Sequence, residues 1–358
     1  MTWTKQRVNN LFFFFGLAAV VVMMLTFDVS FADLWMHVCK AGYWLVPIVG
    51  IWLVIYAINA LSWMSIIKGG NHAAGERSVS FSRLYRLTVT GYALNYATPV
   101  GGLGGEPYRI MELSKDIGKE RATSSVILYA MMHFFAHFWF WFVSVFVYAI
   151  LALCGNVPMN WTVGVTLAFV CIFCLLAFYV FSVGYRNGVA LKLIRWIGKI
   201  PGLGAWSERF IAAHAEMLAE IDRQISDLHR QDRKAFYTSL ILEYLSRVVQ
   251  SSEVFFMLLL FGIDSGGGID GFILTYLHSM LILAFTSLFA NVMGFLPMQL
   301  GVQEGGFVIS IAALGMSAAV GMFVSIICRI REIIWILVGI LLIKIHAGND
   351  GVDRVSKS

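Results

Sequence analysis

The sequence predicts an all-α integral membrane protein with about six full spans and two re-entrant hairpins arranged as an inverted-topology repeat. Three observations lead there. Of the 358 residues, 59% are hydrophobic and only 13% charged, whereas a soluble domain carries about 25% charged residues. Apolar runs approaching or exceeding the roughly 20 residues that cross a bilayer as helix recur along the chain. Two of these runs are broken by glycine- and proline-rich segments with matched spacing. With no polar block of domain size, residues 1–358 read as a single polytopic membrane domain.

The uninterrupted spans are expected at 11–27, 43–67, 124–153, 162–183, 236–261 and 318–345. Lys5, Arg7 and the apolar run that follows have the layout of a cleavable signal peptide. The run continues to Phe27, however, and reads better as an uncleaved first span. The interrupted segments are 84–113, broken at 98–107, and 271–314, broken at 297–306. In the second of the two halves, about 1–153 and 162–345, residues 200–234 form the one substantial polar stretch. There Trp206, Phe210, Met217, Ile221, Ile225 and Leu228 recur at helical spacing against charged neighbours. This is the pattern of an amphipathic connector lying on the cytoplasmic interface.

Lys and Arg in short loops set the orientation. Lys5 and Arg7 place the N-terminus inside. The first broken segment has Arg83 and Arg86 on one flank and Lys115, Lys119 and Arg121 on the other, so it should leave by the face it entered. If the second broken segment dips from outside in the same way, the C-terminus ends inside and only Lys40 of the 26 basic residues lies outside. Each half then reads span, span, hairpin, span, in opposite orientations. This is the plan of secondary transporters, whose discontinuous helices meet near the midplane. Pro99 precedes Glu106 by the same interval as Pro297 precedes Glu304, which supports an internal repeat. The expected location is the cell inner (plasma) membrane, with both termini cytoplasmic.

Backbone breaks at membrane depth are tolerated only where they are buried in protein or line a wet cavity. Pro107 is suited to begin a half-helix, whose free amides and partial positive charge could hold an anion beside Arg109. The glycines are no dinucleotide fingerprint, because Pro107 stands where the pattern beginning at Gly102 needs glycine. In the span 236–261, Glu243, Ser246, Arg247, Gln250 and Glu253 share one face. Glu243 and Arg247 stand in the favourable order for an ion pair. The last span carries Arg329, Arg331 and Glu332; Arg329 can pair locally with Glu332, and Arg331 has no obvious local partner. Each unpaired charge at mid-bilayer costs about 2.5–3.5 kcal/mol, so these side chains must face a polar interior. His133 and His137 have a chelating spacing but no third ligand, within a run of aromatic residues that reads as a packing helix. Cys171 and Cys174 lie inside an apolar run and read as packing thiols. No metal or cofactor is expected.

Asn95-Tyr96-Ala97-Thr98-Pro99, Gly104-Gly105-Glu106-Pro107-Tyr108-Arg109, Leu300 to Gly306 after Pro297, and a last helix bearing Arg329 together resemble the lysylphosphatidylglycerol synthase transmembrane region. This group is also called the flippase-like domain family. The resemblance covers nearly the whole chain. It implies two re-entrant hairpins that move or bind anionic or polyprenyl-linked lipids, with Glu106, Arg109 and Glu304 lining a headgroup cavity. Asn95 and Thr98 would shape the first hairpin, and Tyr108 and Gln303 belong to the same motifs. Bifunctional members add a large soluble aminoacyl-transferase domain; this chain stops at Ser358, so aminoacylation is not carried over.

The expected function is therefore a lipid translocator rather than an enzyme. Its substrate-binding residues would be Asn95, Thr98, Glu106, Tyr108, Arg109, Glu243, Arg247, Glu253, Gln303, Glu304 and Arg329. The expected partner is a membrane phospholipid or a polyprenyl-linked lipid, not nucleic acid, and an oligomer is compatible with the sequence. The alternatives are a non-transporting lipid-binding or scaffold subunit, or an embedded enzyme using Glu106 or Glu304 as general base.

Overall fold

The structure, a computed structural model, describes residues 42–69, 78–97, 104–187, 204–213, 233–263, 266–292 and 302–355, with isolated positions elsewhere. The expected first span at 11–27, both loop tips (98–103 and 293–301) and most of the 200–234 connector lie outside the described residues. Every element described is helical. After a 3₁₀ turn at Gly42–Trp44 come α1 (Leu45–Gly69), α2 (Phe81–Ala97), α3 (Gly105–Ile117), α4 (Lys119–Leu153) and α5 (Trp161–Asn187). Then follow α6 (Gly204–Ala213), α7 (Arg233–Leu260), α8 (Gly268–Val292), α9 (Val302–Ala313) and α10 (Ala318–Val355).

The burial pattern inverts that of a soluble protein. Phe169, Ile172, Leu175, Leu176 and Tyr179 of α5 are exposed, as are Phe146 and Ile150 of α4. Arg109, Glu112, Glu243, Glu253, Arg329, Arg331 and Glu332 are buried. Water would reverse both choices, and a hydrocarbon surround favours both. Four helical stretches, Gly42–Gly69, Lys119–Leu153, Trp161–Tyr179 and Gly268–Val292, are long and apolar enough to cross a membrane. The helices α7 and α10 are as long, and their charges Glu243, Glu253, Arg329, Arg331 and Glu332 are buried. The chain is a multi-pass membrane protein.

The described elements run in the same order in α1–α4 and α7–α10: a long helix, a second helix, a short helix, then a long one. Packing follows the same order. Within the halves, α2 lies on α3 and α3 on α4, as α8 lies on α9 and α9 on α10. Across them, α1 packs along α7, α2 packs on α10, and α8 packs on α4. Within the described residues α5 lies outside this core, against α4.

Local chemistry sets the element ends. A single residue, Gly118, separates α3 from α4 at φ +81°, ψ 161°, where a side chain would be strained, and its amide caps Ser114 O. The sequence expects the breaks to reach Pro107 and Gly306, but helix resumes earlier, at Gly105 and Val302. Pro107 thus sits within the first turn, where its missing amide proton costs nothing. The arms also differ in length: α2 has 17 residues and α8 has 25. At 1.5 Å per residue α8 reaches about 37 Å, more than a half-length arm requires.

Glycine decides one close approach. A Cβ on Gly339 of α10 would overlap Ala93 of α2 and meet Val89 O at 3.1 Å, whereas a Cβ on Gly50 of α1 would meet nothing within 4 Å. Gly339→Leu should therefore force α2 and α10 apart at a cost of about 1–3 kcal/mol. Gly50→Ala should be neutral or stabilising by up to about 1 kcal/mol. Melting temperatures of the two variants in detergent, one lowered and one not, check this.

Candidate functional site: a buried polar chamber between the halves

A cavity of about 560 Å³ lies inside the helical core, within the range of about 300–1,000 Å³ typical of ligand sites. Each of the eight core helices contributes to its wall: for example Trp52 from α1, Tyr92 from α2, Arg109 from α3, His133 from α4, Arg247 from α7, Asn291 from α8, Gln303 from α9 and Arg331 from α10. Aromatic rings and paired charges alternate around it.

At the first break, α3 begins hard against α2. A Cβ on Gly105 would overlap the Gly91 backbone, and one on Gly91 would overlap the Arg109 guanidinium. Asn95 stitches the gap: its Oδ1 accepts from the Gly105 amide, and its Nδ2 donates to Glu106 Oε1 at 3.1 Å. Arg109 Nη1 donates to the same Glu106 oxygen at 3.0 Å, while its Nε and Nη2 donate to the carbonyls of Leu87 and Thr88. The guanidinium also lies 5.1 Å from the ring centre of Tyr92 and 5.5 Å from that of Tyr129. Arg109 and the Gly105 amide are thus committed to internal partners.

At the second break, Arg329 joins two carboxylates: Nε donates to Glu304 Oε1 and Nη1 to Glu332 Oε2, both at 2.8 Å. Gln303 Nε2 donates to Glu332 Oε1 at 3.0 Å. Arg331 reaches across to α7, where its Nε donates to Glu253 Oε1 at 2.7 Å. Trp52 Nε1 completes that carboxylate at 2.9 Å, and its ring lies 4.1 Å under the guanidinium. The expected Arg329–Glu332 pair is present. Arg331, without a local partner in the sequence, finds one 78 positions away.

The third cluster also departs from expectation. Glu243 and Arg247 do not pair directly; His133 of α4 stands between them. Its Nε2 lies 2.6 Å from Arg247 Nη2 and its Nδ1 2.8 Å from Glu243 Oε2. Arginine can only donate, so Nε2 accepts and Nδ1–H donates to the carboxylate. Tyr92 OH adds a contact at 3.2 Å to Nδ1. Arg247 Nη1 donates to Gln250 Oε1 at 2.8 Å, and its Nε is buried with no partner. Arg247 is therefore the one cavity-lining arginine among the described residues with no carboxylate within ion-pair distance. Glu106 Oε2 and Glu304 Oε2 are likewise buried and unpartnered.

Of the expected site residues, Asn95, Glu106, Arg109, Arg247, Glu253 and Gln303 line the chamber. Glu243, Glu304 and Arg329 stand behind its wall, holding lining residues in place. Tyr108 instead fills the apolar cluster of α1–α4, and Thr98 lies outside the described residues. Sequence reasoning did not place Trp52, Tyr92, His133, Arg331 or Glu332 in the site. Arg331 carried a signal, being an intramembrane charge with no local mate. His133 carried little, sitting in an aromatic run.

An apolar exterior around buried, paired charges defines a polytopic membrane protein with a polar interior. The chain belongs to the lysylphosphatidylglycerol synthase TM region family, whose sequence model matches residues 13–340. That membership ties it to a membrane lipid-related function. Comparison with curated proteins gives no match.

Removing one member of a buried pair strands the other's charge at a cost of about 3–5 kcal/mol. Glu253→Gln should therefore lower the melting temperature in detergent strongly. The double variant Glu253→Gln/Arg331→Met should recover most of that loss, because no bare guanidinium remains. A double-mutant cycle measures the coupling.

Proposed function

We propose that this protein moves an anionic or phosphate-bearing lipid headgroup, of a membrane phospholipid or a polyprenyl-linked lipid, between leaflets through the central chamber, without a chemical step. The observation that carries this reading is Arg247. It faces a cavity walled by both halves, with no carboxylate partner and one N–H unused. A buried cation in that state is costly until an anion arrives, and a phosphate oxygen is the natural acceptor for a guanidinium.

The two halves act as an inverted repeat, with each broken segment a re-entrant hairpin, both termini cytoplasmic and the protein in the inner membrane. The distribution of basic residues supports the orientation. Register supports the repeat. The 198 positions that separate Glu106 from Glu304 also separate Val89 from Ser287, His133 from Arg331, and Trp141 from Gly339. Gly339 lies against Val89, while Trp141 Nε1 donates to Ser287 Oγ at 2.9 Å, so corresponding positions meet in both halves. The glycine draws α10 onto α2, and the indole fills the matching contact between α4 and α8. Rocking of the halves would exchange a close contact on one side for an open one on the other.

Reconstitution into liposomes with a fluorescent phosphatidylglycerol tests the reading. Leaflet exchange should occur with the native protein and fall at least about tenfold in Arg247→Ala, the loss of at least about 1.4 kcal/mol of headgroup binding. Arg247→Lys should retain part of it. Conversion of the lipid to a product would instead identify an enzyme. Binding without exchange would identify a lipid-binding subunit.

A further inference from the structure

We propose that Arg247 and His133 form a composite site that takes up a phosphate-type anion together with one proton. The inference rests on the headgroup reading above and adds its energetic coupling.

The five glutamates of the buried network (Glu106, Glu243, Glu253, Glu304 and Glu332) outnumber its four arginines (Arg109, Arg247, Arg329 and Arg331) by one. With every carboxylate ionised the network carries one formal negative charge in excess. A monoanionic phosphodiester would deepen that imbalance in a medium where uncompensated charge is expensive. Admission of an anion therefore calls for a cation or a proton, and the hydrogen bonds around His133 supply a place for the proton.

In the ligand-free arrangement the neutral imidazole connects a cation to an anion: Arg247 Nη2 donates to Nε2 at 2.6 Å, and Nδ1–H donates to Glu243 Oε2 at 2.8 Å. An anion in the chamber competes for Arg247. As the guanidinium turns to the phosphate oxygens, its hydrogen bond to Nε2 breaks and leaves a buried lone pair beside the cavity. A proton from the bulk solution binds there and forms the second N–H of an imidazolium. Glu243 is already in contact with the ring, so the new cation acquires its counter-ion without any movement. Two neutral pairs result, phosphate with Arg247 and His133 with Glu243, and the net charge of the network is unchanged. The anion and the proton therefore enter together and leave together.

The surroundings of His133 fit this role. α2 presents Tyr92 OH at 3.2 Å, with Asn59 of α1 donating to that hydroxyl. From α4 come the Tyr129 ring and His137, which is anchored on the His133 carbonyl. α3 brings Arg109, held over Tyr92 and Tyr129 and neutralised by Glu106. Among these groups Glu243 is the one carboxylate in contact with the ring, so it is the residue that makes the added proton affordable.

The test is calorimetric titration of the purified protein in buffers of different ionisation enthalpy. The probes are dihexanoyl phosphatidylglycerol and dimethyl phosphate, neither of which titrates near neutral pH. About one proton should be taken up per bound probe, with affinity weakening about tenfold per unit rise in pH as linkage requires. Uptake with dimethyl phosphate as well as the lipid assigns the site to the phosphodiester alone; uptake with only the lipid assigns it to the headgroup on its chains. In His133→Gln, which keeps a hydrogen-bonding side chain but cannot titrate, uptake should fall to near zero. Glu243→Gln should show the same loss, which secures the result if either variant folds poorly. Binding to the native protein without proton uptake overturns this inference and leaves the headgroup reading standing, as does undiminished uptake in both folded variants. Absence of binding by both probes overturns the headgroup reading, and this inference with it.

Discussion

The contact on which the rest of the structure depends is the carboxylate of Glu253, held by the Arg331 guanidinium on one side and the Trp52 indole on the other. It ties α7 to α10 and to α1, so it links the two halves at the depth where bare charge is least tolerable. Intramembrane charges cost several kcal/mol each unless partnered. The helices carrying them can enter the bilayer only in an arrangement that supplies those partners. α7 and α10 are such helices, and their inward turn follows from the charges they bear. The remaining helices then cover them with apolar surface.

Against this background of paired arginines Arg247 stands out. Arg109, Arg329 and Arg331 have their hydrogen bonds answered by named carboxylates and carbonyls, and a network in that state holds shape. Arg247 does not, and its carboxylate neighbour Glu243 is reached only through His133. Unanswered polar atoms in a buried site are expensive in a purely structural protein. The unpartnered Nε of Arg247 beside the cavity is what sets this arginine apart from the other three.

The halves share an order of elements but differ where they touch. The contact of α2 with α10 is closed by Gly339, and the corresponding contact of α4 with α8 contains Trp141. Glycine lets two backbones meet, whereas an indole sets a distance and needs a hydrogen-bond acceptor, here Ser287. The two contacts are therefore unequal, one closed by a glycine and the other spaced by an indole. The chamber lies between those contacts.

Much was legible in the sequence because the membrane imposes a simple rule on it. Apolar length marks spans: α1, α4, α5 and α7 fall where the hydropathy places them, within about five residues, and α10 begins as expected at Ala318 but runs on to Val355. Inward-facing charge followed from the spacing of Glu243, Arg247 and Glu253 on one helix face. These are properties of a residue and its near neighbours along the chain. The partners of those charges are not. Nothing in a linear reading joins Arg331 to Glu253 or inserts His133 between Glu243 and Arg247, because such contacts depend on how helices far apart in sequence are rotated and packed. The sequence by itself thus determined that a polar interior must exist inside an apolar shell. Only the tertiary structure decided which arginine remains available there, since availability depends on every other partner being already taken.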